Sequence, residues 1–127
     1  MNTLMWERPD ESGKVAVQPE TVLVKAIKNA ILDAHPDAVV YKIHGGPAQE
    51  AGIADLICCI RGRFIALEVK KQSPGESIDH AYARATELQL YQRDRVIAAG
   101  GWSSVVLSVA EALDHIGQAL GENPGED

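Results

Sequence analysis

The sequence has few cysteines and no long apolar run, and both shortages narrow the class of protein. Its 127 residues include two cysteines, Cys58 and Cys59, which are adjacent. Neighbours on a strand point to opposite faces, so this pair suits neither a disulfide nor the ligand spacing of a zinc site. We therefore expect both to be small buried apolar residues in a reducing compartment. No apolar run approaches the roughly 18 residues of a membrane helix, and residues 1–13 lack the apolar core of a signal peptide. The expected location is the cytoplasm, with no membrane partner.

A net positive charge is also lacking. The formal net charge is −6 at pH 7, which by itself argues against a nucleic-acid partner. The charge is unevenly spread, because residues 121–127 contribute three acids and no base, whereas residues 38–95 hold eight bases and seven acids. Part of the acidity therefore lies in the tail, and central carboxylates are available for a cation site.

Length and composition fit one globular domain. A chain of 127 residues, 46% of them hydrophobic, can bury a core without needing disulfides or a metal. We expect a polar leader over residues 1–18, one domain over residues 19–120 and an acidic tail over residues 121–127. No internal repeat or linker interrupts the domain.

Apolar periodicity and capping signals predict elements in the order α-β-β-β-α-β-α. The predicted elements are a helix from Pro19 to His35, strands at 38–43, 54–60 and 64–70, a helix from Thr86 to Ala99, a strand at 104–107, and a helix from the capping box Ser108-Val-Ala-Glu111 to about Leu120. Residues 71–79 are expected to be a loop, and 79–85 remain open between loop and helix. The second and third strands are predicted to form an antiparallel hairpin, and their mostly apolar residues indicate a sheet covered on both faces. The fourth strand follows a helical crossover, so it can pair parallel within the sheet. The fold class is therefore α/β, a mixed sheet flanked by helices.

Three polar residues interrupt the apolar hairpin: Asp55, Glu68 and Lys70. Glu68 and Lys70 are two apart on one strand, so they share a face. A two-residue turn at Arg61-Gly62 would place Asp55 opposite Glu68, whereas a three-residue turn would place Leu56 there and send Asp55 to the other face. The sequence leaves both registers open. In the first, two carboxylates and an ammonium converge, which suits Mg²⁺ or Mn²⁺ and phosphodiester hydrolysis. The alternative is a surface pair of Glu68 and Lys70, with Asp55 at the start of a strand.

The segments 52–57 and 61–70 resemble the PD-(D/E)XK nuclease superfamily, and more closely its virus-type replication-repair nuclease (VRR-NUC) domain, whose phage members are stand-alone chains of about this length. The resemblance extends over nearly all of residues 19–113 and includes Lys42-Ile43-His44-Gly45, Thr86-Glu87-Leu88-Gln89 and Ala99-Gly100-Gly101. Ala54 stands where the family usually has proline, and residues 74–85 are an insertion relative to shorter members. The resemblance implies a restriction-endonuclease-like fold and a phage or prophage origin.

The resemblance also implies roles for the residues of the hairpin. Asp55 and Glu68 would be metal ligands, together with the main-chain carbonyl of Val69. Lys70 would be the catalytic lysine.

Two further residues match family positions on helices, and each has a second interpretation. Gln89 matches the family's helix glutamine, and it also suits a capping box with Thr86, a role compatible with the first. Glu20 matches an acidic position that often contacts the metal through water, and it also suits a partner of the helix dipole in the first turn.

The implied function is a Mg²⁺- or Mn²⁺-dependent DNA endonuclease acting on Holliday junctions or other branched DNA as a homodimer. The alternative is a catalytically silent nucleic-acid-binding module on the same fold. A small ligand-binding domain is disfavoured, because Gly45-Gly46 is followed by Pro47 and opens no phosphate-binding helix. The predicted DNA contacts are Lys42, His44, Arg61, Arg63 and Lys71, and Arg84, Arg93 and Arg95 extend this basic rim.

Overall fold

The computed structural model describes residues 20–45 and 49–122. The predicted polar leader and Pro19 lie outside the described residues, as do residues 123–127 of the predicted tail. The elements are α1 (Glu20–Ala34), β1 (Val39–Lys42), β2 (Leu56–Ile60), β3 (Arg63–Val69), α2 (Ile78–Ala83), α3 (Glu87–Ala98), β4 (Trp102–Val106) and α4 (Val109–Ala119). The order is the predicted one with a short helix, α2, added largely within the segment that the sequence left open. Of the helices in the described ranges, none is long and apolar enough to cross a membrane.

Four strands form one mixed sheet in the order β1-β2-β3-β4. The pairs β1–β2 and β2–β3 are antiparallel, and β3–β4 is parallel. The parallel pair is possible because α3 returns the chain to the end of the sheet where β3 begins. The predicted mixed sheet flanked by helices is confirmed. Strands β1, β3 and β4 run in the same direction, so their C-terminal ends lie together at one end of the sheet, where β2 begins.

A two-residue turn joins β2 to β3 and selects one of the two registers. Ile60 pairs with Arg63 across the turn. Arg61 and Gly62 have φ angles of 50° and 79°, and two consecutive positive values are the mark of a type I′ turn, whose twist matches that of the strands. Leu56 then pairs with Leu67, so the next position along the hairpin sets Asp55 opposite Glu68.

Helices α1 and α4 cover one face of the sheet with a continuous apolar core. Ile27 and Ile31 of α1 and Ile116 of α4 pack with Leu56 and Leu67 of the hairpin, and all five are fully buried. This core buries the apolar stripe of each helix, which is the main source of stability for helices of this length.

The opposite face of the sheet is only partly covered, which corrects two expectations. Helix α3 lies over β3 and β4, and Phe64 near the turn is exposed. Cys58 faces the core as predicted, and burial raises the pKa of its thiol to about 11. Cys59 points to the other face and is exposed, so its predicted burial is wrong. The apolar strands indicated two covered faces, but one of them is open near the turn.

Candidate active site

Six residues selected from the sequence lie at the edge where β3 ends and β2 begins. Hydrogen bonds and an ion pair connect these residues with one another and with the main chain of Val69. The six residues are Glu20, Asp55, Glu68, Lys70, Lys71 and Gln89. Four separate parts of the chain supply them: the first turn of α1, the loop before β2, the end of β3 and the first turn of α3.

Asp55 is tied to both neighbouring strands. Its main-chain carbonyl accepts a hydrogen bond from the N–H of Ile43, at 2.8 Å, which continues the pairing with β1. Its side-chain Oδ2 accepts from the N–H of Val69, at 2.7 Å. Burial raises the pKa of Asp55, and the negative charge of Glu20 adds to that rise, whereas the Val69 hydrogen bond opposes it. The carboxylate is thus held beside Glu68 in an environment that disfavours a second negative charge.

Glu68 is the most enclosed carboxylate of the group, with 7% of the residue exposed. Its Oε2 accepts from Nε2 of Gln89 at 2.6 Å, and Nζ of Lys70 lies 3.3 Å from the same oxygen. Its Oε1 is buried and has no hydrogen-bond partner among the residues that the structure describes. Burial raises the pKa of Glu68 to about 7, and the negative charge of Asp55 acts in the same direction.

Gln89 forms the capping box that its spacing predicted, and it also contacts Glu68. Its Oε1 accepts from the N–H of Thr86 at 2.9 Å, and its own N–H donates to Oγ1 of Thr86 at 3.1 Å, which completes the capping box of α3. Because Oε1 is used as an acceptor, the amide presents Nε2 to Glu68 as a donor. One side chain therefore begins the helix and orients the carboxylate.

Helix α3 also holds the loop that precedes Asp55. Gly52 has a φ angle of 85°, and a Cβ there would lie 2.5 Å from the carbonyl oxygen of Leu88. Gln92, which is buried, donates from Nε2 to Glu50 at 2.6 Å and to the carbonyl of Ala51 at 3.1 Å. Gln92 is not among the residues selected from the sequence. The available signal was its spacing of three from Gln89, which puts the two amides on one side of a helix.

Glu20 contacts the main chain just after β3 and adds a third negative charge near Asp55 and Glu68. Its Oε2 accepts from the N–H of Lys71 at 2.7 Å, and its charge raises the pKa of both Asp55 and Glu68. Within residues 20–45 and 49–122, no group of three or more His, Cys, Asp or Glu side chains comes together in a way that could hold a metal ion. Glu20 therefore contributes charge without completing a three-carboxylate cluster.

The predicted DNA contacts fall into two groups. Lys42 and His44 lie at the end of β1 beside Asp55, with His44 exposed, and Lys71 directly follows Lys70. Arg61 and Arg63 lie at the hairpin turn, five strand positions from the carboxylates, which is about 17 Å at the usual rise per residue.

The arginine at the turn is engaged within the protein. The guanidinium of Arg61 forms an ion pair with Glu122, just beyond α4. Glu122, the last described residue of the predicted acidic tail, therefore contacts the hairpin turn. Both side chains of this pair are about half exposed, and exposed pairs of this kind contribute little to stability.

Comparison with known proteins identifies a fold. No protein-family model and no curated protein match the sequence. A solved structure described as a VRR_NUC domain aligns with a TM-score of 0.51 and 20% sequence identity, over 72% of this chain and 91% of that one. A likeness at this identity concerns the arrangement of helices and strands. It confirms the fold that the resemblance predicted: this chain has the fold of a VRR_NUC domain, a mixed four-stranded sheet flanked by helices.

Proposed function

We propose that this chain is a divalent-metal-dependent DNA endonuclease that cleaves branched DNA, such as a Holliday junction, as a homodimer. The observation that supports this most is the state of Glu68. It is buried beside Asp55, and its Oε1 has no partner in the described part of the chain. Two carboxylates confined in this way repel each other, and a bound divalent cation would remove that repulsion. The VRR_NUC fold is consistent with such an enzyme.

The donor set fits a hard cation. Mg²⁺ and Mn²⁺ prefer oxygen ligands, and the candidates here are the carboxylates of Asp55 and Glu68 and the main-chain carbonyl of Val69. Glu20 would act on the ion through its charge or through water, since its Oε2 already accepts from Lys71. When bound, the cation would supply charge neutralisation at the phosphodiester and a lower pKa for the attacking water.

Lys70 would act on the phosphoryl group. Its side chain is 14% exposed, and Nζ is held 3.3 Å from Oε2 of Glu68, so the ammonium is directed into the site. From this position it would stabilise the charge that develops on the phosphoryl oxygens, or orient the attacking water. Gln89 would keep Glu68 in place by donating to Oε2.

The branched substrate and the dimer belong together in this proposal. Resolving a four-way junction requires two symmetric cuts, and a two-fold homodimer supplies two sites. Lys42, His44 and Lys71 would contact the phosphates nearest the cut. Contacts from Arg61 and Arg63 would require the duplex to run about 17 Å from the site, which corresponds to about five base pairs.

A cleavage assay tests the proposal. The protein is incubated with four-way junction, flap and linear duplex DNA, in Mg²⁺, in Mn²⁺ and with a chelator. We expect metal-dependent cleavage with the junction preferred, and loss of cleavage in Asp55→Asn and Glu68→Gln. Asp33→Asn, at an exposed position of α1, controls for the loss of one negative charge and should cleave normally.

The other outcomes are also informative. DNA binding in Ca²⁺ with no cleavage in any metal would favour the silent binding module. No binding to branched or duplex DNA would reject the nuclease. Calorimetry that shows unchanged Mn²⁺ binding in both variants would overturn the assignment of Asp55 and Glu68 as ligands.

A further inference from the structure

The insertion between β3 and α3 is organised around one carboxylate, that of Glu76, whose side chain is only 8% exposed. Its Oε1 accepts from the N–H of Ser73 at 2.9 Å, and its main-chain carbonyl accepts from Nε2 of Gln72 at 2.6 Å. From beyond α2, Arg84 donates from Nε to Oε2 of Glu76 at 3.0 Å. His80 Nδ1 lies 3.1 Å from the same oxygen. The two ends of the insertion are therefore joined by the pair Glu76–Arg84.

The guanidinium of Arg84 has a second partner, in the chain segment that leaves β3. Its Nη2 donates to the main-chain carbonyl of Lys71. The N–H of the same residue donates to Glu20 at 2.7 Å. Both main-chain polar groups of Lys71 are thus held by charged side chains, one from α1 and one from the end of the insertion.

This arrangement constrains the residue placed in the site. Lys71 directly follows Lys70, whose ammonium lies 3.3 Å from Oε2 of Glu68. A segment held by hydrogen bonds to both its N–H and its carbonyl has little freedom to shift. The main chain of Lys70 is itself held by β4, since its N–H donates to the carbonyl of Val106 at 3.0 Å. The contacts of Lys71 with Glu20 and Arg84 extend this support beyond the end of β3.

We propose that Arg84 is a positioning residue, which acts through Glu76 and the Lys71 carbonyl to hold Lys70 in its place beside Glu68. The inference rests on the proposed function. It also replaces the expectation that Arg84 belongs to the DNA-binding rim, because Nε and Nη2 are both bonded within the protein. Loss of a positioning residue lowers the rate of the chemical step, since a displacement of about 1 Å can cost about 100-fold. Loss of a phosphate contact instead weakens binding and its dependence on salt.

The two roles are separated by comparing Arg84→Gln, Arg84→Lys and Glu76→Gln. The single-turnover rate is measured at saturating junction DNA, and the affinity is measured in Ca²⁺ over a range of salt. The positioning role predicts that Arg84→Gln lowers the rate by about 10- to 100-fold with affinity and salt slope unchanged. Glu76→Gln should lower the rate in the same way, although it removes a negative charge. Arg84→Lys should recover part of the rate, because lysine keeps the charge but cannot bridge two acceptors as a planar guanidinium does.

The opposite result would overturn the inference. If Arg84 contacts phosphate, Arg84→Gln reduces the salt slope by about 0.9, and Glu76→Gln tightens binding by releasing the guanidinium. Lys25→Gln, at an exposed position of α1, controls for the loss of one positive charge and should leave the rate unchanged.

Two measurements without DNA test the role of Arg84 independently of nuclease activity and show whether each variant folds. Thermal unfolding shows whether each variant is folded. In folded Arg84→Gln, amide hydrogen exchange at Lys71 should become faster, because the Lys71 carbonyl loses its contact with the guanidinium. Unchanged exchange would overturn the inference even if the chain proves to be a nuclease. If the wild type cleaves no DNA, the nuclease proposal fails, and the exchange measurement alone decides whether Arg84 holds Lys71.

Discussion

Replacing Glu68 with glutamine should make the metal-free protein more stable at pH 8, although the change removes a residue that we place at the active site. Glu68 is buried next to Asp55, and these surroundings raise its pKa to about 7. Above that pH the folded protein must carry a negative charge in an unfavourable place. Glutamine has nearly the same shape, retains an acceptor for Gln89 and carries no charge.

The size of the effect follows from the pKa. A change from 4.5 to about 7, at roughly 1.4 kcal/mol per pKa unit, gives a cost of up to about 3 kcal/mol for ionised Glu68. The new amide N–H₂ would stand where Oε1 lacks a partner among the described residues, which costs about 1 kcal/mol or more. The Lys70 ammonium would also lose an ionised partner. We therefore expect a net gain of about 1–2 kcal/mol, which is an increase in Tm of roughly 3–8 °C for a chain of this size.

The pH dependence of this gain tests its cause. Because the folded-state pKa of Glu68 is raised, its contribution to stability is fully present below about pH 4.5 and is lost as the pH rises to about 7. The raised pKa of Asp55 acts in the same direction. The advantage of Glu68→Gln over the wild type should therefore be large at pH 8 and small at pH 5.

Thermal unfolding followed by circular dichroism, with a chelator present, measures the gain at both pH values. Asp33→Asn serves as the matched control, because it removes an exposed negative charge at the opposite end of α1 from Glu20. A gain of equal size at pH 5 and pH 8 would show that charge is not the cause. A loss of stability at pH 8 would refute the reasoning altogether.

Three other predictions follow from the site. Lys70→Ala should lower the single-turnover rate by orders of magnitude while junction affinity in Ca²⁺ changes little; the reverse pattern would make Lys70 a phosphate anchor. Gly52→Ala should destabilise the protein by about 1–3 kcal/mol more than Gly75→Ala in denaturant unfolding. Both glycines have positive φ, but only at Gly52 would a Cβ approach a carbonyl, at 2.5 Å from that of Leu88, whereas nothing in the described chain lies within 4 Å of a Cβ at Gly75; equal losses would contradict this. Lys42→Gln should reduce the slope of log affinity against log salt by about 0.9, and an unchanged slope would remove Lys42 from the interface.

The helices could be predicted well because their ends carry local signals. Thr86 and Gln89 form the capping box that their spacing predicted, and α1 ends before Pro36. The second predicted capping box is only half formed. Ser108 accepts from the N–H of Glu111, but the Glu111 carboxylate accepts from the N–H of Leu107 and from the hydroxyl of Tyr82 on α2. Tyr82 belongs to the insertion at residues 74–85, and no local sequence pattern shows where this insertion packs in the fold.

The register of the hairpin shows a limit of a different kind. Arg61 adopts a φ angle of 50°, a left-handed conformation that a residue with a side chain adopts less readily than glycine. From sequence, a two-residue turn with arginine at that position and a three-residue turn around Gly62 were both reasonable. The alignment of apolar residues favours the observed register, because it pairs Leu56 with Leu67 and Cys58 with Ile65 on the face covered by α1 and α4. A three-residue turn would instead pair Leu56 with Glu68.

The open face of the sheet could not be foreseen because an apolar strand does not report which of its faces is covered. Cys59 and Phe64 are as apolar as the neighbours that face α1 and α4, so their exposure has no signal in the sequence. They are exposed because α3 does not cover their part of the other face. The crossover sets α3 over β3 and β4, at the side of the sheet away from β1. Coverage of a strand by a helix is therefore a property of topology.

The same distinction explains which parts of the candidate site could be found in advance. Asp55, Glu68 and Lys70 could be selected because a charged residue within an apolar strand is conspicuous in sequence. The residues that hold them in place were harder to find, because their partners are distant: Glu20 reaches Lys71 across 51 positions, and Gln92 reaches Glu50 across 42. Such contacts form only once the sheet has brought the segments together. In this fold the groups proposed for chemistry stand out in the local sequence, whereas the contacts that position them exist only in the tertiary structure.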